Sequence, residues 1–192
     1  LRGWEDIAPP VDVESLASLP DESMGRAYYR HLKANGLDHL DPSEECRARF
    51  EHNNPYAIRY VVTHDLHHLL TGFDTGMPGE VGAAAFQVGQ GTGFISEANY
   101  RYIRYAYMAL MPGQARAISN NLNLALEMGK KADNFLFQPF ESMMHEPLAE
   151  VRARLGIEDA DRAKIIPSKP SALIAGAYKL MGRELPMPQP VE

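Results

Sequence analysis

His64, Asp65 and His68 fall within five consecutive residues, and Glu80 follows twelve residues after His68. Imidazole nitrogens and carboxylate oxygens are donors to divalent ions. Two imidazoles at i and i+4 are neighbours on one helix face and can bind one ion together. Asp65, next in sequence to His64, can reach the same ion or orient a ligand. A fourth donor must come from elsewhere, and Glu80 is the candidate, because the loop from Thr71 to Gly79 is compact enough to turn the chain back. Glu80 would lie in the first turn of the next helix, where the helix dipole keeps a carboxylate ionised. Each feature also has a plainer explanation. The two histidines can be partly buried and hydrogen-bonded to neighbours, and with Pro78 at the first helical position Glu80 sits at the third, where Glu commonly stabilises a helix start. Two nitrogens and two oxygens suit zinc, iron or manganese, and magnesium less well. In the zincin motif a Glu follows the first His as general base; Asp65 stands there instead, which weakens a peptidase reading.

The element that must position these groups is a helix over about 55 to 71, opened by Asn54-Pro55 and ended by Gly72. Advancing about 100° per residue places Ala57, Ile58, Val61, Val62, Asp65, His68 and Leu69 on one apolar arc with His64 at its edge. Asp65 and His68 are therefore polar residues among core positions. A buried carboxylate costs several kcal/mol unless it is paired or bound to a metal, roughly speaking. The opposite arc carries Tyr56, Arg59, Tyr60, Thr63 and His67, so His67 is expected to face outward. Leu66 and Leu70 also lie there, so the helix is expected to be covered on more than one side.

The rest of the chain reads as further helices. Residues 1–20, with Pro9, Pro10 and Pro20, are expected to form an irregular arm. Asp21 looks like the N-cap of a helix stopped by Asn35-Gly36, and Asp41-Pro42 starts another to about Glu51. The small residues Gly82, Ala83, Ala84 and Ala85 on a helix over about 78–90 would let it approach the central helix closely. Helices over about 95–111 and 114–130 are split by Pro112-Gly113. Pro147 opens a short one ended by Gly156, and a last covers about 171–182. No alternation lasts long enough for a sheet. The expected architecture is an all-α, single-domain multi-helix bundle over 21–183, with the metal motif on its central helix and a disordered tail over 184–192.

Composition narrows the function. The 192 residues carry a net charge of −6, which argues against nucleic acid and against a strong electrostatic grip on anionic lipid. Cys46 is the only cysteine, so neither an internal disulfide nor a cysteine-based zinc site is available. A reducing compartment follows naturally. No apolar run approaches the roughly 18–20 residues that span a bilayer. The first residues do not read as a signal or transit peptide, so none is expected there. Residue 1 is Leu, which fits a trimmed start.

At the motif the chain resembles the coenzyme Q biosynthesis protein 4 family, whose hallmark is His-Asp, two residues, His, eleven residues, Glu. Here that is His64-Asp65-Leu66-His67-His68, then Leu69 to Gly79, then Glu80. Leu19-Pro20, Ser23-Met24-Gly25, Tyr28 and Asn35 resemble the family's early helix. Arg59-Tyr60 precede the motif and Leu69, Leu70 and Gly72 follow it at the family's spacing, and Gly79 precedes the Glu. Pro147-Leu148 and the stretch from Arg152 to Ile157 resemble the late helix. The similarity runs from about residue 16 to 158, with 92–140 not aligned.

The resemblance implies an all-α fold, a divalent metal with zinc the usual attribution, and a role in ubiquinone biosynthesis. By match, His64, Asp65, His68 and Glu80 would be the metal ligands and the catalytic group. The implied activity is a lyase reaction, removal of the C1 carboxylate from a polyprenylated hydroxybenzoate, with C1 hydroxylation in an oxidative version. Zinc has no redox chemistry, so oxygen consumption would need another metal. The implied partners are a polyprenylated aromatic or other isoprenoid lipid and other quinone biosynthesis proteins, with peripheral membrane contact and a homodimer as further expectations. Absence of the eukaryotic presequence suggests a bacterial relative, in the cytoplasm or on the cytoplasmic face of the inner membrane, or a trimmed mitochondrial protein of the matrix side. A greasy channel for the lipid could draw on Phe86, Phe94, Ile95, Tyr102, Ile103, Tyr105, Tyr107, Met108, Leu110 and Met111, although apolar helix faces are usually core. Arg101 and Arg104 share a helix face and could meet an anionic head group or stand as solvated charges. His31, His39, His52 and His145 show no pattern. Two alternatives stand beside the enzyme: a non-catalytic lipid-binding scaffold organising a quinone biosynthesis complex, and a metallohydrolase with a wide polar cleft.

Overall fold

The structure is a computed structural model and describes residues 7–50, 54–93, 96–163 and 179–180. The described residues are all-α, as expected: eight α-helices, short 3-10 turns and one isolated bridge between Ser23 and Pro147. The helices are α1 (Val13–Leu16), α2 (Met24–Asn35), α3 (Glu44–Phe50), α4 (Pro55–Thr71), α5 (Met77–Gly89), α6 (Glu97–Leu110), α7 (Ala115–Lys131) and α8 (Leu148–Arg154). The helix expected over 171–182 and the tail lie outside the described residues, apart from 179–180, which are helical. None of the described helices is long and apolar enough to cross a membrane.

The chain divides into two compact units, Leu1–Leu70 with Ala132–Ile157, and Thr71–Lys131 with Glu158–Val191. In the first, local chemistry sets the helix ends. Ser23, rather than the expected Asp21, is the N-cap of α2, its hydroxyl accepting from the Arg26 amide at 3.2 Å. Gly36 closes the helix in the left-handed region, and the Leu37 amide reaches back to the Leu32 carbonyl at 2.9 Å. The expected irregular arm contains one turn of helix, α1, capped by Asp12. Its residues 7 and 8 are packed against other elements. Ile7 and Ala8 are buried with Ile58 and Val62, and Arg47 donates to the Ala8 carbonyl at 2.8 Å.

In the second unit α5 crosses α7 at Gly89 and Gly129, and a side chain on either would run into the other helix's backbone. Phe86, Ala83 and Ala85 of α5 and Ile118, Leu122, Ala125 and Met128 of α7 are buried there. The turn Pro112–Gln114 separates α6 from α7, where Pro112-Gly113 predicts a break.

Candidate metal centre

The helix that carries the motif is tied down at both ends. At its start, the Asn54 side chain accepts from the Ala57 amide at 3.3 Å. At its end, Arg152 of α8 donates to the carbonyls of Leu70 at 3.0 Å and Leu69 at 2.6 Å. Those carbonyls lie in the last turn, where the helix has no amides of its own left to offer, so a guanidinium is a favourable cap. Leu66, Leu69 and Leu70 are all buried. The backbone under the histidines is therefore fixed by packing and hydrogen bonds from a segment about eighty residues away.

On this frame the His64 and His68 rings meet edge to face, one turn apart. Their ring centroids are 4.8 Å apart with planes at 70°, and one nitrogen of each comes within 4.8 Å of the other. The Tyr60 ring meets His64 edge-on at 5.7 Å. Asp65 Oδ1 lies 3.6 Å from His64 Nδ1, too far for a hydrogen bond but close enough for attraction. His68 is fully buried, whereas 26% of the His64 side chain and 14% of Asp65 remain open to solvent. Two imidazoles and a neighbouring carboxylate on one helix are nitrogen and oxygen donors of borderline hardness. They fit zinc and the other divalent transition ions.

The helix phase needs one correction. His67, expected to face outward, is buried at 1% exposure, and so are Arg59 and Thr63 on the same face. Val61, expected in the core stripe, is 47% exposed. The covering comes from residues 135–141. Phe135 meets the His67 ring edge-on at 5.1 Å. Glu141 receives Arg59 through both oxygens, at 2.5 and 3.0 Å, and Arg59 also donates to the Gln138 carbonyl at 2.5 Å. Burial, followed by the charges of His64, His68 and Arg59, pushes the His67 pKa well below its ordinary value, so this ring is held neutral. Leu66 and Leu70, which share that arc, were the signal that the face would be covered.

Glu80 lies where the motif places it, in the first turn of α5, partly open to solvent, with its amide bonded to the Gly76 carbonyl at 2.9 Å. The turn before it is built on two glycines. Gly72 ends α4 at φ +79°, with the Ala160 carbonyl against its Cα, so an L side chain there would be strained and blocked at once. At Gly79 a Cβ would collide with the carbonyl of Asp74. Asp74 itself is buried and accepts from the Gly76 amide at 2.7 Å, an Asx turn that tightens the loop. Gly79 thus lets the loop fold onto the first turn of α5, one residue before the carboxylate.

His31 and His39 show no pattern in the sequence, and in the fold the charge of Asp65 acts on both. Tyr28, His31 and Leu32 are on the buried face of α2. The Tyr28 hydroxyl meets His39 Nδ1 at 3.0 Å. Burial, then the charges of Asp65 and Glu141, pushes the Tyr28 pKa up, keeping the phenol protonated. His31 is pushed down to about 4 by burial, with further contributions from His68 and Asp65. These residues are twenty-five to thirty-six positions before His64, and no local spacing announces them. His145 is exposed, and His52 lies outside the described residues.

The residues expected to line a lipid channel divide. Phe86 and Met111 are buried in the second unit, whereas Tyr102 and Tyr105 are 76% and 65% exposed on α6. Phe94 and Ile95 lie outside the described residues. Arg101 pairs with Glu97 at 2.8 Å, and Arg104 donates to Asn123 and Ser119 of α7 at 3.0 and 2.9 Å.

Residues 8–161 match the model of the family described as coenzyme Q (ubiquinone) biosynthesis protein Coq4. The mitochondrial ubiquinone biosynthesis protein COQ4 homologue of Drosophila ananassae is 33% identical over 151 residues, covering 77% of this chain and 54% of that protein. The Rattus norvegicus homologue is 32% identical over 153 residues, covering 77% and 55%. The chain thus spans just over half the length of these relatives. A crystal structure of a Nostoc punctiforme protein, named as a candidate ubiquinone biosynthesis protein, superposes with a TM-score of 0.60 at 22% identity, over 78% of this chain and 70% of that one. That likeness supports the fold.

Proposed function

The chain belongs to the Coq4 family of coenzyme Q (ubiquinone) biosynthesis proteins, and from that premise we propose that it acts in ubiquinone biosynthesis as a metal-dependent decarboxylase of a polyprenylated hydroxybenzoate. The observation that supports this reading is the pair of facing imidazoles, His64 and His68, beside Asp65 on a helix clamped at both ends. In the proposal these three and Glu80 hold one divalent ion, with zinc first and iron, manganese or magnesium as alternatives. Glu80 is included because the loop fixed by Gly72 and Gly79 presents it at a helix N-terminus, where a carboxylate stays ionised.

The bound ion would supply a Lewis acid for the carboxylate or phenolate oxygen of the substrate. The bond between ring carbon C1 and the carboxylate breaks, carbon dioxide leaves, and the electron pair left on the ring takes up a proton. His64 and Asp65 keep part of their surface open, so a proton from water can reach the ring along them. His68, fully buried, contributes a ring whose orientation is set by packing. The implied partners are an isoprenoid lipid and other quinone biosynthesis proteins at a membrane surface.

The test is metal analysis of purified protein together with turnover of a 3-polyprenyl-4-hydroxybenzoate. Wild type should carry one ion and release carbon dioxide. His64→Ala, His68→Ala and Glu80→Ala should lose both. Unchanged metal content in these variants overturns the site. Bound metal without turnover, with zinc or with iron under air, overturns the enzyme reading for this substrate and favours a lipid-binding scaffold.

A further inference from the structure

His31 is 4% exposed, and among the described residues neither of its ring nitrogens has a hydrogen-bond partner. A neutral imidazole carries one donor and one acceptor, and each left unpaired in a dry interior is destabilising. The chain had cheaper choices, since the neighbouring position on the same face of α2 is a buried Leu, Leu32. The ring is not remote from the motif, because the charges of both Asp65 and His68 act on it. Nor does it join the donor set, which draws its nitrogens from His64 and His68. A buried, unsatisfied imidazole next to a metal-type cluster, but outside it, is what remains when the missing partner is carried by a bound molecule.

We propose that His31 is a binding residue of the centre on α4, its imidazole donating a hydrogen bond to an oxygen or nitrogen of the anionic group that binds there. The inference rests on the metal centre proposed above and deepens it by naming the residue that grips the head group. The ligand class is a compact anion with an acceptor atom pointing away from the ion: the carboxylate or phenolate of a hydroxybenzoate in the proposed reaction, or a simple anion in its place. His31 would not hold the ion itself.

The experiment uses the cobalt(II)-loaded protein, whose visible spectrum reports ligand exchange, with two probes: azide, and 3-geranyl-4-hydroxybenzoate. Wild type, His31→Leu and His31→Asn are compared for metal content, melting temperature and probe affinity. The expected result is full metal content in all three, a melting temperature of His31→Leu without ligand equal to or above wild type, and probe binding about tenfold weaker in His31→Leu, as the loss of one hydrogen bond implies. His31→Asn, which retains a donor, should recover part of the affinity. A marked fall in the melting temperature of His31→Leu would show that the ring is already partnered and overturn the proposal, as would probe binding equal to wild type. Azide binding that depends on His31, with no binding of the hydroxybenzoate, supports the His31 assignment and overturns the substrate reading. Absence of cobalt uptake, or of binding by either probe, overturns both.

Discussion

Two polar faces of α4 look alike in sequence and differ in how they are completed. One carries Arg59, Thr63 and His67, the other His64, Asp65 and His68. On the first, the chain supplies the partners. Arg59 reaches Glu141 and the carbonyls of Gln138 and Ile7, and the Thr63 hydroxyl donates to the Arg59 carbonyl at 2.7 Å. On the second, Asp65 meets His64 only at 3.6 Å, part of each side chain is open, and the nearby His31 ring has no hydrogen-bond partner among the described residues. A buried polar group closed by its own chain holds the fold together. Donor atoms gathered together, as those of His64 and His68 are, suit an ion the chain does not contain.

The largest effect separating the faces belongs to Arg59. Arg59→Met leaves the 20%-exposed Glu141 carboxylate without its cation, and breaking one side of such a pair costs about 3–5 kcal/mol. At this chain length that lowers the melting temperature by roughly 10 °C. Metal content per folded molecule should be unchanged. Loss of metal at a temperature where the variant is still folded would show that the two faces are one network.

Acid should act on the open side. His31 ionises near 6.5 in the unfolded chain and is pushed down by burial to about 4 in the folded one. The unfolded state therefore binds the extra proton, and stability is fully present above pH 6.5, falls as pH drops toward about 4, and levels below it. The shift corresponds to on the order of 3 kcal/mol at most. His67, also held neutral, adds a loss of the same sign. Urea midpoints of the metal-stripped protein between pH 7 and pH 4 should fall for wild type and fall distinctly less for His31→Leu. Parallel curves would remove His31 from the titrating interior.

His67 divides the comparison differently from the sequence reading. Periodicity places it outward, and on that basis His67→Ala should matter little. In the structure it packs on Phe135, so the expected cost of His67→Ala is about 2 kcal/mol from the cavity, seen in urea unfolding, with the ion retained. A variant as stable as wild type would restore the outward reading.

What the sequence made legible was local. The start of α4 at Asn54-Pro55, its end at Gly72 and the break at Pro112-Gly113 depend on residues whose backbone preferences act within a turn. The histidine pair at i and i+4 follows from the helix alone. The burial of Arg59 and His67 depends on Glu141 and Phe135, eighty-two and sixty-eight positions on, and the approach of His31 depends on α2. Neither leaves a periodic trace in α4. Ser23 replaced Asp21 as the cap because a cap is chosen by which side chain meets the free amide, and the two lie only two residues apart.

The smallest effect is the sharpest test of how separate the faces are. Thr63 is fully buried, and its hydroxyl lies 3.4 Å from His67 Nε2 as well as 2.7 Å from the Arg59 carbonyl. That carbonyl lies within the helix, so the hydroxyl bond is an extra one. Thr63→Val keeps the shape and removes the bond, at an expected cost of about 1 kcal/mol or less. If the closed face acts only through packing, metal content and probe affinity should match wild type while the urea midpoint drops slightly. If instead the variant binds the ion more weakly, the Thr63–His67 contact helps to orient the histidines on the other side of α4. The division between a structural and a functional face would then have to give way to a single buried network running through the helix.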